Sequence, residues 1–135
     1  MRSYLVAKGK SLIDFGLRRA HMPEAGLYAA RASYVVGFDE TSNLLARIRF
    51  GTPVFGTMAH SFIMVFKDEL EAFRAFAKSF PDRTVLLIDI YDTIEGAKKA
   101  VRLMKEGVKV MGVRIDSGDI EELSKEVKEI FNAVG

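Results

Sequence analysis

The chain has no cysteine, only two histidines and only three prolines in 135 residues. Without thiols there is no disulfide, no thiolate metal centre and no cysteine nucleophile, and two histidines fall short of a dedicated zinc site. A metal, if one takes part, is expected to be magnesium held by carboxylates. Long apolar runs are missing too: no segment approaches the roughly 18 to 20 uninterrupted apolar residues of a membrane span, which predicts a soluble chain with no membrane partner. The opening residues Met1-Arg2-Ser3-Tyr4-Leu5-Val6-Ala7-Lys8-Gly9-Lys10 lack the apolar centre and cleavage site of a secretory leader, so a cytoplasmic location is expected. Excess charge is scarce: 20 basic and 18 acidic residues leave a net +2. The basic residues are scattered, not gathered in one stripe, so nothing favours nucleic-acid binding.

What is present is apolar material. At 49% hydrophobic residues the chain can bury a substantial core, which predicts one folded domain over 1–135 and argues against disorder. The apolar residues fall into a repeating plan of apolar run, polar junction and amphipathic stretch. Thr84-Val85-Leu86-Leu87-Ile88 reads as a buried strand, followed by Asp89-Ile90-Tyr91-Asp92 and a helix over about 93–105. Asp92, with Glu95 three residues on, has the spacing of a helix cap. Val108-Lys109-Val110-Met111-Gly112-Val113 reads as the next strand. It leads through Arg114-Ile115-Asp116-Ser117-Gly118-Asp119 into a last helix, whose Leu123, Val127, Ile130 and Phe131 share one face.

A third copy runs from Pro53-Val54-Phe55 through Gly56-Thr57-Met58-Ala59-His60-Ser61 into a helix over about 68–80, with Asp68 and Glu71 as a cap pair and Pro81 as its stop. Phe73, Phe76 and Phe80 lie at helical spacing and are expected in the core. Upstream, 11–16 reads as a short strand followed by a helix entered at Pro23, a good first-turn residue. Gly37-Phe38-Asp39 reads as a very short strand or turn, and Thr41-Ser42-Asn43 caps a helix to about Phe50. Alternating β and α units with near-continuous apolar strands predict an α/β fold with a parallel sheet of about five βα units. The charged and hydroxyl residues collect at the junctions after strands, where parallel α/β folds keep their chemistry.

Each junction admits a plain reading beside a functional one. His60 is either a histidine satisfied by nearby backbone or a proton carrier, oxyanion partner or phosphoryl acceptor, with its hydroxyl-bearing neighbours favouring the latter. Asp92 reads first as a cap, whereas Asp89 ends an apolar strand. Arg114 and Asp116 stand at alternate positions, hence on one side. They form either an internal ion pair beside a Ser-Gly turn or a sugar-phosphate cradle, with Ser117 and backbone amides on the oxygens. At least one of Arg18 and Arg19 is expected to point into a site.

At these clusters the sequence resembles the nicotinate phosphoribosyltransferase family, including its nicotinamide-using relatives. The resemblance runs in order from Ser11 to Gly135, through Asp-Phe-Gly-Leu-Arg-Arg at 14–19, Gly-Phe-Asp-Glu-Thr-Ser-Asn at 37–43, Gly-Thr-Met-Ala-His-Ser at 56–61, Asp-Ile-Tyr-Asp-Thr at 89–93 and Arg-Ile-Asp-Ser-Gly-Asp at 114–119. It implies transfer of phosphoribose from phosphoribosyl pyrophosphate to nicotinate, giving nicotinate mononucleotide for NAD synthesis, with hydrolysis of ATP coupled to turnover and magnesium on the pyrophosphate. It implies that His60 is phosphorylated by ATP and that Asp89 lies near the phosphohistidine or the magnesium-bound pyrophosphate. Asp39 and Thr41 would lie near the pyridine ring, with Arg18 or Arg19 on the carboxylate or phosphates. Arg114 would sit by the base and Asp116 on the ribose hydroxyls, with Ser61 and Ser117 completing the substrate contacts.

Members of that family run to several hundred residues, with a further α/β domain and an irregular barrel whose later strands carry a Gly-Asp segment and a glycine-rich phosphate loop. The expectation is therefore a partial TIM-like (β/α) barrel, lacking the N-terminal α/β domain and the later strands, and inactive alone. Met22 stands where the family often has glycine. Open strand edges predict self-association, as a homo-oligomer or with a chain that completes the barrel. The rival from another class is a non-catalytic module of the same fold that binds a phosphorylated ligand or assembles with a partner. A quinolinate-using enzyme of related fold would need extra basic residues and no phosphorylated histidine, and 56–61 argues against it.

Overall fold

Apolar runs and amphipathic stretches become four short strands and seven α-helices in the computed structural model, which describes residues 2–134. The expected domain of 1–135 thus extends one residue beyond the described chain at each end. Two compact units divide at Gly56 and Thr57.

The first unit contains α1 (Arg2–Ala7), β1 (Ile13–Asp14), a single 3-10 turn (Gly16–Arg19), α2 (Pro23–Val35), β2 (Glu40–Thr41) and α3 (Leu44–Phe50). Pro23 opens α2, where its missing amide hydrogen costs nothing because first-turn amides lack helical partners. After α2 the chain reverses through Gly37 at φ 104°, a region that glycine reaches without strain, so 37–39 is a turn and the strand forms one step later. β1 and β2 are parallel, with Ile13 opposite Glu40 and Asp14 opposite Thr41. Thr41 also bridges to Val54, its amide donating to the Pro53 carbonyl at 3.0 Å and its carbonyl accepting from Phe55 at 3.1 Å. Leu27, Ala30 and Ala46 form the small buried cluster of this unit. The helix α1 has no counterpart in the sequence-based expectations.

The second unit contains α4 (His60–Met64), α5 (Glu69–Ser79), β3 (Val85–Leu87), α6 (Thr93–Lys105), β4 (Gly112–Arg114) and α7 (Ile120–Asn132). β3 and β4 are parallel, with Val85 opposite Gly112, Leu86 opposite Val113 and Leu87 opposite Arg114. The larger core lies here: Leu86, Leu87, Ile88, Phe73, Ile63, Ala97, Ala100 and Leu103 are wholly buried, and Val127, Ile130 and Phe131 close it from α7. Gly96 sits where α6 meets β3, and a Cβ there would run into the Ile88 carbonyl, so only glycine permits this approach. Arg74 of α5 grips Glu106 with two nitrogens at 2.8 to 3.2 Å, joining the middle of α5 to the C-terminal end of α6, and this hydrogen bonding holds the Glu106 carboxyl below the usual range.

The parallel α/β pattern is present, but the described strands form two separate two-stranded pairs and not one five-stranded sheet. The run 53–55 contributes a single bridge, since Pro53 has no amide hydrogen for a ladder. Strand pairing at 108–113 is shifted toward 112–114, with the Met111 amide donating to the Thr84 carbonyl at 2.9 Å just ahead of the ladder. Phe73 and Phe76 belong to the core as expected, whereas Phe80 is 52% exposed, its ring 5.0 Å from that of Phe76. The expected cap pair on α5 does not form: Asp68 occupies the N-cap position without a side-chain hydrogen bond.

Candidate functional site

In the second unit the ends of β3 and β4 carry a connected set of polar side chains. Asp89 follows Ile88, whose amide still donates to the Arg114 carbonyl at 3.2 Å, so the residue leaves the sheet at its carboxyl end. Asp89 Oδ2 accepts from the Asp116 amide at 2.9 Å and from the Ser117 hydroxyl at 2.6 Å, which pins the junction after β4 to that after β3. Asp89 Oδ1 is buried without a hydrogen-bond partner among the described residues, an arrangement that disfavours a folded chain unless something else satisfies it.

Arg114, the last residue of β4, is held on both sides. Its Nη2 lies 2.9 Å from Asp116 Oδ2 and its Nη1 donates to Thr57 Oγ1 at 2.7 Å. The ion pair that the plain reading of 114–116 expects is therefore formed, and it coexists with a turn tied down by Asp89. Asp119 then caps α7, accepting from the amides of Glu121 and Glu122 at 3.1 Å each. Asp92 likewise caps α6 through the Glu95 amide at 2.8 Å. His60, half-buried, opens the short helix α4 three residues after Thr57, and Ser61 beside it is exposed.

The first unit holds the remaining candidates. Asp39 Oδ2 accepts from the Leu12 amide at 2.8 Å, which extends the β1 and β2 pairing by one side-chain bond. Thr41 is 1% exposed. Its hydroxyl donates to Asp14 Oδ2 at 2.9 Å and accepts from the Asn43 amide at 3.1 Å. Asn43 in turn caps α3 through Leu45 and Ala46. Asp14 Oδ1 accepts from Gly16 at 3.0 Å at the start of the 3-10 turn whose last two residues are the exposed Arg18 and Arg19. Thr41 and Asp14 are thus the frame on which the two arginines and the Asn43 cap are built.

The residues 89, 114, 116 and 117 come together as the sequence suggests, and Thr57 joins them unforeseen. Its signal lay in the 56–61 run, where it reads only as a hydroxyl flank of His60. Among the described residues no group of three or more histidines and carboxylates could hold a metal by itself. Magnesium typically keeps one or two carboxylates alongside substrate phosphates and water, and the unpartnered Asp89 Oδ1 fits one such ligand. Among the same residues no helix is long and apolar enough to cross a membrane.

Comparison with known proteins bears on the family of the chain. The nicotinate phosphoribosyltransferase (NAPRTase) family matches residues 10–135. Nicotinate phosphoribosyltransferase pncB2 of Mycobacterium tuberculosis is 45% identical over 137 aligned residues, which cover 99% of this chain and 29% of that protein. The Bacillus subtilis nicotinate phosphoribosyltransferase is 40% identical, over 91% of this chain and 26% of that protein. Among solved structures, human nicotinic acid phosphoribosyltransferase superposes with a TM-score of 0.80 at 28% identity, covering 98% of this chain and 37% of the other. A nicotinate-nucleotide pyrophosphorylase from Pyrococcus furiosus gives 0.86 at 27% identity, covering 99% and 36%. The chain therefore spans about a third or less of the length of these relatives. Over that span it belongs to the nicotinate phosphoribosyltransferase family.

Proposed function

We propose that this chain supplies the strand-end portion of a nicotinate phosphoribosyltransferase site, where nicotinate displaces pyrophosphate from phosphoribosyl pyrophosphate to give nicotinate mononucleotide for NAD synthesis. The observation that carries the reading is the linked set Thr57, Arg114, Asp116, Ser117 and Asp89 at the carboxyl ends of two parallel strands, in a chain whose residues 10–135 match the family. A transition state with cationic sugar character is stabilised by nearby carboxylate, and departing pyrophosphate by cations. Asp116 supplies the former beside the ribose hydroxyls. Arg114 lies by the base, and Arg18 or Arg19 takes the nicotinate carboxylate or the phosphates. Asp39 and Thr41 lie near the pyridine ring, and Ser61 and Ser117 offer hydroxyls to substrate oxygens. Magnesium, when bound, would neutralise the pyrophosphate, with Asp89 Oδ1 as one ligand.

In the same reading ATP phosphorylates His60, and the barrel of about five βα units is completed outside these residues, by further chain or by a second subunit. The isolated 135 residues are then expected to be inactive alone, to act in the cytoplasm, and to bind neither nucleic acid nor membrane. Incubation with ATP radiolabelled at the γ-phosphate is expected to give acid-labile, base-stable label that is absent from His60→Ala. Label that survives this substitution overturns the acceptor. Absence of label in the parent chain favours a non-catalytic phosphate-ligand-binding or assembly module, the reading toward which the closed Arg114 and Asp116 ion pair leans, or means that these residues alone lack the nucleotide site.

A further inference from the structure

We infer that Thr57 is a positioning residue of this site, setting the plane of the Arg114 guanidinium and tying it to the segment that carries His60. The inference rests on the functional reading above, but its geometry stands by itself. A guanidinium has donors only, so in the 2.7 Å contact with Arg114 Nη1 the Thr57 hydroxyl must be the acceptor. Asp116 holds the other terminal nitrogen at 2.9 Å. Contacts on Nη1 and Nη2 together fix rotation about the side-chain axis, which neither achieves alone, and a planar fork recognises an oxyanion only when its plane is set beforehand. The hydroxyl proton of Thr57 has only the Met58 carbonyl, at 3.5 Å, as a distant acceptor among the described residues, so accepting from Arg114 disturbs no stronger bond.

Thr57 also connects elements far apart in sequence. It lies 57 positions from Arg114 and three before His60, and Asp116, Ser117 and Asp89 continue the chain of contacts to the end of β3. One hydroxyl thereby sets the arginine relative to the start of α4. Valine matches threonine in shape and lacks the acceptor, while serine keeps it.

The test is nitrogen-15 NMR of the arginine side chains, with Arg114 assigned by Arg114→Lys, in the parent chain, Thr57→Val and Thr57→Ser. Separate, slowly exchanging Nη signals are expected in the parent and in Thr57→Ser, and collapse to an averaged signal in Thr57→Val, with an unchanged far-ultraviolet circular dichroism spectrum confirming that the variant folds. Identical Arg114 signals in parent and Thr57→Val overturn the inference. Absence of ATP-derived label from the parent chain bears on the functional reading alone and leaves the guanidinium signals to decide the role of Thr57.

Discussion

Glu69 is the most tightly enclosed ionisable side chain among the ion pairs, 1% exposed, and it meets Lys99 of α6 at 2.9 Å while its Oε1 is buried without a partner. Burial pushes its carboxyl above the ordinary 4.5, against the pull of the Lys99 hydrogen bond. The same hydrogen bond raises the Lys99 ammonium. The two shifts point opposite ways for the pair, unfavourable to charge at Glu69 and favourable at Lys99. The cost at Glu69 dominates, because Lys99 is 33% exposed and keeps much of its hydration. A folded-state carboxyl raised above its unfolded value binds protons more tightly than the unfolded chain does. Its contribution therefore declines as pH rises through that raised value, whereas that of Lys99 persists below about its ordinary 10.5 and is lost above its own raised value. Lys99→Met, which strands the buried charge, is expected to cost about 3 kcal/mol at neutral pH. Chemical denaturation at pH 7 and again near pH 5 checks this: the cost should shrink on acidification as Glu69 takes up its proton. Equal costs at both values would show that the lost lysine packing, and not the stranded carboxylate, is responsible. Glu69→Gln should stay within about 1 kcal/mol of the parent, since the lysine left behind reaches water.

At the scale of elements, the helix starts at an aspartate separate into two with a side-chain bond and one without. Asp92 and Asp119 accept from first-turn amides of α6 and α7, whereas Asp68 stands before α5 and accepts from none. Alanine at 92 or 119 is expected to cost about 1 kcal/mol, and alanine at 68 only the few tenths of a weak charge-dipole attraction, measurable as urea midpoints. Equal losses at all three positions would mean that capping geometry is not what distinguishes them. This contrast also marks how far the sequence could be read. The bounds of α6 were legible because Asp92, the apolar spacing of 97, 100, 101 and 103, and Gly107 all agree. The Asp68 and Glu71 spacing was equally suggestive, but a cap depends on the side-chain rotamer, which spacing does not encode. The helix α4 was invisible: five residues are too few to show a period, so His60 read as a loop residue although it begins a helical turn. The Asp89, Arg114, Asp116 and Ser117 cluster followed from strand-end logic, while Thr57 did not, because a contact across 57 positions leaves no local pattern.

The whole molecule is defined by what its pieces leave open. Within the described residues β1, β3 and β4 each have one ladder partner, and an unpaired parallel strand edge invites pairing with another chain. Large apolar side chains add to this in both units. In the first, Val35, Leu44 and Ile48 are 75, 68 and 78% exposed, and in the second Met64 and Val65 are 66 and 82% exposed. Single exposed apolar residues are ordinary, but Leu44 and Ile48 lie one turn apart on α3, and Leu45 beside them is 41% exposed, so they form a stripe. Burying that stripe at roughly 25 cal/mol per Å2 of apolar surface gives a favourable drive toward a second copy or toward the remaining two-thirds of a relative-sized protein. The isolated chain is therefore expected to self-associate at micromolar concentration in sedimentation velocity. Ile48→Glu, which puts a charge in the stripe without touching the Ala46 core contact, should shift it toward monomer. A parent chain that sediments only as monomer would contradict the prediction. Self-association that Ile48→Glu leaves unchanged would locate the contact at the strand edges, where backbone pairing needs no apolar side chain.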